Sequence, residues 1–287
     1  MRSVRLRTPA KINLFFRVLG SRADGYHEIE SLFQAIDLCD ELVINETRGP
    51  STLEVPGRPE LEIQDNLVWR ALRWIEKQIG SRLSVSMRLT KNIPVAAGLG
   101  GGSSDGAAAL LGIRTLFDLE LSDDDLFQGA LRLGADAPFF LMGGAAIGEG
   151  IGEQLTPVEL PTDYGIVLVN PGFPVSTRTI YSEFHKTLTG PSKQSKLRRI
   201  LTKARDPRHL LHNDFQPIVE RLHPTVKQIR LRLEHAGVPR ALMTGSGPTV
   251  FGLYDSETDR LEKARTRLPD RWLSFVAKPL DKGIATD

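Results

Sequence analysis

The run Ile93-Pro-Val-Ala-Ala-Gly-Leu-Gly-Gly-Gly-Ser-Ser-Asp-Gly-Ala-Ala-Ala-Leu110 constrains this chain more than any other segment. It follows a strand-like alternation, Leu83, Val85, Met87 and Leu89 against Ser84, Ser86 and Arg88, and opens into an Ala/Leu-rich helix reaching about Phe117. Gly98, Gly100, Gly101 and Gly102 remove side chains where backbone must come close to something. Ser103 and Ser104 are read as caps of the following helix, whose first amides have no internal partners. Such amides, with the positive end of the helix dipole, favour an anion, and phosphate is the usual one. The loop is not a Walker A loop, because no Lys-Ser or Lys-Thr follows the glycines. It is not the dinucleotide fingerprint, because Ser103 stands at the third glycine. The His-Arg-Asp and Asp-Phe-Gly elements of protein kinases are absent. Asp105 would repel phosphate, so it must face away or be screened by a metal ion.

The rest of the chain restricts the class of protein that uses this loop. Its 287 residues make one large or two ordinary domains. A net charge of +2 implies neither a nucleic-acid nor a membrane partner. The single cysteine, Cys39, excludes an internal disulfide and is read, beside Ile36 and Leu38, as a buried structural thiol. There is no transmembrane run and no signal-peptide core, and the first motif starts at Pro9, so the expected setting is a cytoplasm.

Strands are expected at 4–7 and 12–18, separated by Thr8-Pro9-Ala10-Lys11, and at 42–46, with a turn at Asp24-Gly25. Asp65 is read as the N-cap of a helix through Ile79, stopped by Gly80. Ser122 and the Asp-rich turn after it start a helix ending at Gly134. A strand at 166–170 runs into Pro171-Gly172. Helices are expected at 193–204, 217–236 and 257–267, and strands at 240–244, 249–254 and 273–277. The basic stretch Lys193–Arg208 is read as a solvated helix face, since no aromatics interleave the charges.

With these motifs in view the chain resembles the GHMP kinases. Pro94 through Ala109 is similar to their phosphate loop, with two extra glycines before the serines. Pro9-Ala-Lys-Ile-Asn-Leu14, Arg22-Ala-Asp-Gly-Tyr-His27, Leu133-Gly-Ala-Asp-Ala-Pro138 and Thr244-Gly-Ser-Gly-Pro248 resemble the branch whose acceptor is 4-diphosphocytidyl-2-C-methyl-D-erythritol. The resemblance runs from about residue 8 to 277. Ala96 and Ala97 stand where that branch often has glycine, and Gly106 where it has alanine, changes read as conservative in size. The stretch from about 185 to 235 matches less distinctively.

The resemblance implies an α+β fold, with a domain like ribosomal protein S5 domain 2 over residues 1–160 and a ferredoxin-like domain over 161–287. It implies ATP and Mg2+ as cofactors and a small-molecule acceptor. Asp136, which its neighbours alone mark as a helix cap before Pro138, becomes the catalytic base. Lys11, by itself a strand-edge lysine, becomes its partner at the acceptor hydroxyl. Pro94, Ala97, Gly98, Leu99, Gly100, Gly101, Gly102, Ser103 and Ser104 become the ATP-phosphate loop. Asn66 is either a helix-start residue or a holder of the ATP base, and Lys91 either a solvated lysine or a nucleotide contact. Asn13, Tyr26, His27, Thr177 and Tyr181 would hold the acceptor, with cytosine between Tyr26 and Tyr181 and its edge on His27. Gly245, Ser246 and Gly247 are a plain hairpin turn or, by resemblance, backbone beside the acceptor's diphosphate. Magnesium accompanies ATP phosphates, and no acidic pair declares itself as its ligand; Glu149 and Glu153 lie in a Gly-rich segment and are not assigned. The competing readings are a family member acting on homoserine or mevalonate, and a non-catalytic nucleotide- or RNA-binding module.

Overall fold

The computed structural model describes residues 2–185, 197–201, 206–255 and 268–286. The chain opens with a long hairpin, β1 (Ser3–Ser21) and β2 (His27–Glu46), joined by a turn in which Gly25 has φ +85°. β3 (Thr52–Glu54), α1 (Leu67–Ile79), β4 (Val85–Thr90), α2 (Gly101–Phe117), α3 (Asp123–Leu133) and α4 (Ala137–Met142) follow. Then come the hairpin β5 (Ala145–Glu149) and β6 (Gln154–Val158), β7 (Tyr164–Asn170), α5 (Thr177–His185) and α6 (Leu197–Leu201). β8 (His212–Asn213), α7 (Gln216–Leu222), α8 (Pro224–His235), β9 (Ala241–Met243), β10 (Val250–Asp255), β11 (Leu273–Ala277) and β12 (Ala285–Thr286) complete the order.

Two sheets result. The larger has the path β12-β1-β2-β4-β3, with β5 and β8 added on β2 and β1 and β6 on β5. The smaller has the order β11-β7-β10-β9, antiparallel throughout, which is the ferredoxin-like arrangement. β6 ends at Val158 and β7 opens the second sheet at Tyr164, yet β8 and β12 return to flank β1. A shared core ties the sheets together: Ile12, Leu14, Leu32 and Ile36 of the hairpin pack with Ile166, Leu168, Phe251 and Leu253. Each fully buried aliphatic or aromatic side chain contributes about 1.5–3 kcal/mol over leaving it in water.

Several local expectations change. β1 runs through Thr8–Lys11 instead of breaking there. Pro9 pairs with Cys39 and Ala10 with Ile36, so Asp37 and Leu38 bulge out of the partner strand where proline offers no N–H. The cap of α1 is Asn66, whose side chain accepts the Val68 N–H at 3.0 Å, not Asp65. α2 starts at Gly101 behind a left-handed Gly100, so Ser103 and Ser104 occupy its first turn instead of capping it. The helix expected over 217–236 is two helices. His223 precedes Pro224, which pushes it out of the helical region, to φ −131° and ψ 80°. Cys39 is half-buried, and burial pushes its thiol above the usual range. Of the basic stretch only 197–201 and 206–208 are described; Lys193, Lys196, Lys203, Arg205 and the helix expected at 257–267 lie outside the described residues.

Candidate active site

The glycine loop is the wall between two cavities. The smaller, about 410 Å³, is lined by Asn66, Lys91, Pro94, Ala97, Gly101 and Gly102, with Leu61, Ile63 and Leu67 on its apolar side. The larger, about 1040 Å³, takes Lys11, Asn13, Tyr26, His27, Asp136, Thr177, Tyr181, Gly245 and Ser246. Ala96, Gly98, Gly100 and Ser103 line both. Leu99, Ser104 and Gly247 line neither. Leu99 is buried and its carbonyl accepts the Lys11 backbone N–H at 2.9 Å. Ser104 is buried with a hydroxyl that has no partner among the described residues. Gly247 backs the loop from behind.

The loop is held from below by a buried ion cluster. The Lys91 ammonium bonds to Asp40, and to Asp105 at 2.7 Å, while the Thr8 hydroxyl donates to Asp105 at 2.7 Å. Asp40 also accepts the N–H groups of Asn92 and Ile93, immediately ahead of the loop. Asp105 lines the smaller cavity but is 2 % exposed, and its two carboxylate oxygens are taken up by Thr8 and by the Lys91 ammonium, which offsets its charge toward phosphate. Burial pushes its carboxyl up to about 6, against the pull of Lys91 and with the help of Asp40's charge. Burial alone would lower Lys91, but the two carboxylates outweigh it and the net direction is up.

Glycine is required in the loop where backbone meets backbone. Gly98 has φ +77°, and a Cβ there would lie 2.5 Å from the Thr244 carbonyl oxygen. The Thr244–Thr249 turn is a hairpin turn and more. It links β9 to β10, and it packs bare backbone against the loop. Ala96 also sits in the left-handed region, at φ +52°. What alanine costs in place of glycine there is conformational strain of about 1–2 kcal/mol, not size.

At the meeting point of the cavities, Lys11 is 4 % exposed and its Nζ lies 3.6 Å from Asp136 Oδ2. Lys11 also donates to Asn13 Oδ1 at 2.7 Å, and Asn13 Nδ2 donates to Ser31 Oγ at 2.8 Å. The Thr244 hydroxyl donates to Asn13 Oδ1 at 3.2 Å and accepts the Asn13 N–H at 2.9 Å. Both acceptor positions of Asn13 Oδ1 and one N–H of Nδ2 are thereby fixed by the fold, and the second Nδ2 N–H is left to donate. Asp136 occupies the N-cap position of α4, as its neighbours indicate, but its side chain makes no capping bond. The carboxylate is left 40 % exposed to the larger cavity.

At the far end of that cavity Tyr26 is exposed at the hairpin tip, and His27 stacks at 4.9 Å on Tyr181. His27 Nε2 is buried without a partner among the described residues. Burial, and then the neighbouring His185, lower the His27 pKa. Burial and the charge of Asp136 push the Tyr181 phenol up. Thr177 Oγ1 and Ser246 Oγ are 2.8 Å apart, which joins α5 to the glycine turn.

Motif reading missed Asp40, whose partners are some fifty residues away in sequence, and, on the lining face of α5, Arg178, Ser182 and His185 beside the Thr177 and Tyr181 that the resemblance named. Thr177, Arg178, Tyr181, Ser182 and His185 recur at helical spacing on that face, a signal the sequence does contain. Glu149 pairs with Arg198 at 2.7 Å and Glu153 accepts the Ile151 N–H, so both have structural work.

The family descriptions "GHMP kinases N terminal domain" and "GHMP kinases C terminal" match residues 66–144 and 195–272. A 4-diphosphocytidyl-2-C-methyl-D-erythritol kinase of Geobacter metallireducens is 42 % identical over 90 % of this chain and 92 % of its own length. One from Syntrophus aciditrophicus is 40 % identical over 97 % and 100 %. A crystal structure of 4-(cytidine 5'-diphospho)-2C-methyl-D-erythritol kinase superimposes with a TM-score of 0.79 at 34 % identity, covering 96 % of this chain and 98 % of that one. Homoserine kinase from Cytophaga hutchinsonii shares the fold, with a TM-score of 0.73 at 18 % identity over 100 % of this chain and 98 % of its own.

Proposed function

The chain belongs to the GHMP kinase family, and from that premise we infer that it transfers the γ-phosphoryl group of ATP to the 2-hydroxyl of 4-diphosphocytidyl-2-C-methyl-D-erythritol. The products are ADP and the 2-phosphate of the acceptor. The observation that carries this reading is the pair of cavities sharing the glycine loop as one wall, with Lys11 and Asp136 facing each other beside it.

ATP lies in the smaller cavity, its base against Leu61, Ile63, Asn66 and Leu67 and its phosphates over the first amides of α2. The acceptor fills the larger cavity, with cytosine at Tyr26, His27 and Tyr181 and the branched alcohol at Asn13, Lys11 and Asp136. Phosphoryl transfer asks mainly for alignment and charge neutralisation. Asn13, locked by Ser31 and Thr244, orients the hydroxyl. Asp136 takes the hydroxyl proton as the new P–O bond forms, and Lys11 offsets the charge on the transferring group. His27 Nε2, unpartnered in the protein, is left for the edge of the base.

Among the described residues no group of three or more His, Cys, Asp or Glu could hold a metal ion. Ser103 and Asp136 both put side-chain oxygens on the larger cavity beside the loop, donors that fit a Mg2+ ion arriving on the triphosphate. When bound, such an ion neutralises phosphate charge. No helix among the described residues is long and apolar enough to cross a membrane, and the same reading places the enzyme in a cytoplasm.

The test is ADP release from magnesium-ATP with the cytidyl acceptor, homoserine or mevalonate. Turnover with the cytidyl acceptor alone is expected. Turnover with homoserine or mevalonate instead would discard the cytosine end of the site, and silence with all three, in protein that still binds ATP, would overturn the kinase reading.

A further inference from the structure

Charge in the larger cavity is unevenly committed. Among the described residues, three cations other than histidine line it: Lys11, Arg22 and Arg178. Lys11 is matched by Asp136. Arg22 is held by Asp24 at 2.9 Å and by Glu28 at 3.3 Å, and both carboxylates keep it at the hairpin tip. Arg178 is exposed and has no hydrogen bond or ion pair with any described residue. Among the described lining residues it is the cation with no carboxylate of its own.

Its place on the helix is also defined. Arg178 and Tyr181 are three residues apart on α5, so they share a face, and both line the cavity. Arg178 stands about one turn nearer the start of the helix than Tyr181. That is the end joined through Thr177 to Ser246 and the glycine turn, whose Gly245 and Ser246 also line the cavity. Along α5 the order runs Tyr181, Arg178, Thr177, and Thr177 leads through Ser246 to Gly245, where an added Cβ would lie 3.5 Å from Lys11 Nζ. An acceptor that puts a nucleobase on Tyr181 and a hydroxyl at Asp136 has its diphosphate in between. A guanidinium matches two phosphate oxygens at once, and an unpaired one needs no other contact broken to do so.

We propose that Arg178 is a specificity-determining residue that binds the diphosphate of a nucleoside-diphosphate-linked acceptor. This rests on the functional reading above for the position of the acceptor. The guanidinium reaches the diphosphate without touching the transferring phosphoryl group, so it acts on acceptor binding and leaves the chemical step to Lys11 and Asp136.

The experiment compares the wild-type enzyme with Arg178→Gln and Arg178→Lys, measuring kcat, both KM values and inhibition by cytidine, CMP and CDP. Loss of a charge-assisted hydrogen bond predicts about a 10–100-fold rise in the acceptor KM of Arg178→Gln, with the KM for ATP and kcat within about twofold. Inhibition by CDP should weaken by a similar factor and inhibition by cytidine should not change, while Arg178→Lys should recover part of the loss. Equal weakening for cytidine and CDP would mean that Arg178 only shapes α5, and no change for either would mean that it is a solvated side chain; both overturn the proposal. If the wild-type enzyme shows no preference for CDP over cytidine and no turnover of the cytidyl acceptor, the functional reading fails as well, which separates the two failures.

Discussion

Replacing Gly98 with alanine tests whether the contact between the phosphate loop and the glycine turn sets the geometry of transfer. Gly98 lies at φ +77°, and an added Cβ would be 2.5 Å from the Thr244 carbonyl oxygen and 3.1 and 3.2 Å from the Gly247 carbonyl oxygen and nitrogen. All are backbone atoms, so no side chain can swing away. The left-handed conformation alone costs an alanine about 1–2 kcal/mol. Relieving the overlap requires loop and turn to separate by about 0.5–1 Å, and a misplacement of about 1 Å near reacting atoms costs about 10²-fold. Gly98→Ala is therefore expected to fold, with its thermal midpoint lowered by a few degrees at about 2–4 °C per kcal/mol, and with kcat reduced about 10²-fold. Gly102→Ala is the comparison. Gly102 is in the first turn of α2 with no atom within 4 Å of an added Cβ, so the substitution leaves the midpoint unchanged or raises it. Its Cβ enters the smaller cavity, so the KM for ATP rises and the acceptor KM does not. Thermal unfolding with steady-state kinetics reads all of these quantities. Wild-type kcat in folded Gly98→Ala, or an unaltered KM for ATP in Gly102→Ala, would refute the reasoning.

Asp136→Asn keeps the size of the side chain, which makes no capping bond, and should lower kcat by roughly 10²–10⁴ in protein that still folds; full activity would remove Asp136 from proton transfer. Tyr26→Ala removes an exposed ring at the hairpin tip, so the acceptor KM should rise while that for ATP stays, and the reverse pattern would put Tyr26 at the wrong end of the site. Asp105 binds its proton more tightly folded than unfolded, so its contribution to stability is fully present below the ordinary value of 3.8 and is lost as pH rises through about 6. The difference in midpoint between the wild-type protein and Asp105→Asn, followed from pH 4 to 7, should change over that window; a difference independent of pH would contradict the buried cluster described here.

What could be read from the sequence follows from how local each signal is. The glycine loop, the capping box at Ser122 with Asp125, and the αL stop at Gly80 depend on neighbours in the chain, and they appear where the residues indicate. β2 is different. Its buried Glu30, Ser31 and Gln34 interrupt the apolar alternation because they face partners from distant segments, so only its end reads as a strand. The pairing of Lys91 with Asp40 has no sequence pattern, since a strand hairpin and a loop must meet before it exists. Asp136 shows both sides of the matter. Its neighbours correctly put it at the start of a helix, yet its carboxylate is turned to the cavity, and only resemblance marked that it would be. Ala96 shows that volume is a poor guide where φ is positive.

The most direct measurement is a structure of the enzyme with a non-hydrolysable ATP analogue and the cytidyl acceptor bound together. The account predicts the triphosphate on the Gly102 side of the loop and the acceptor in the larger cavity. The 2-hydroxyl should lie in line with the γ-phosphorus at about 3–3.5 Å and within hydrogen-bond reach of Asp136. Phosphates found on the other side of the loop, or a 2-hydroxyl turned away from Asp136 and Lys11, would contradict it.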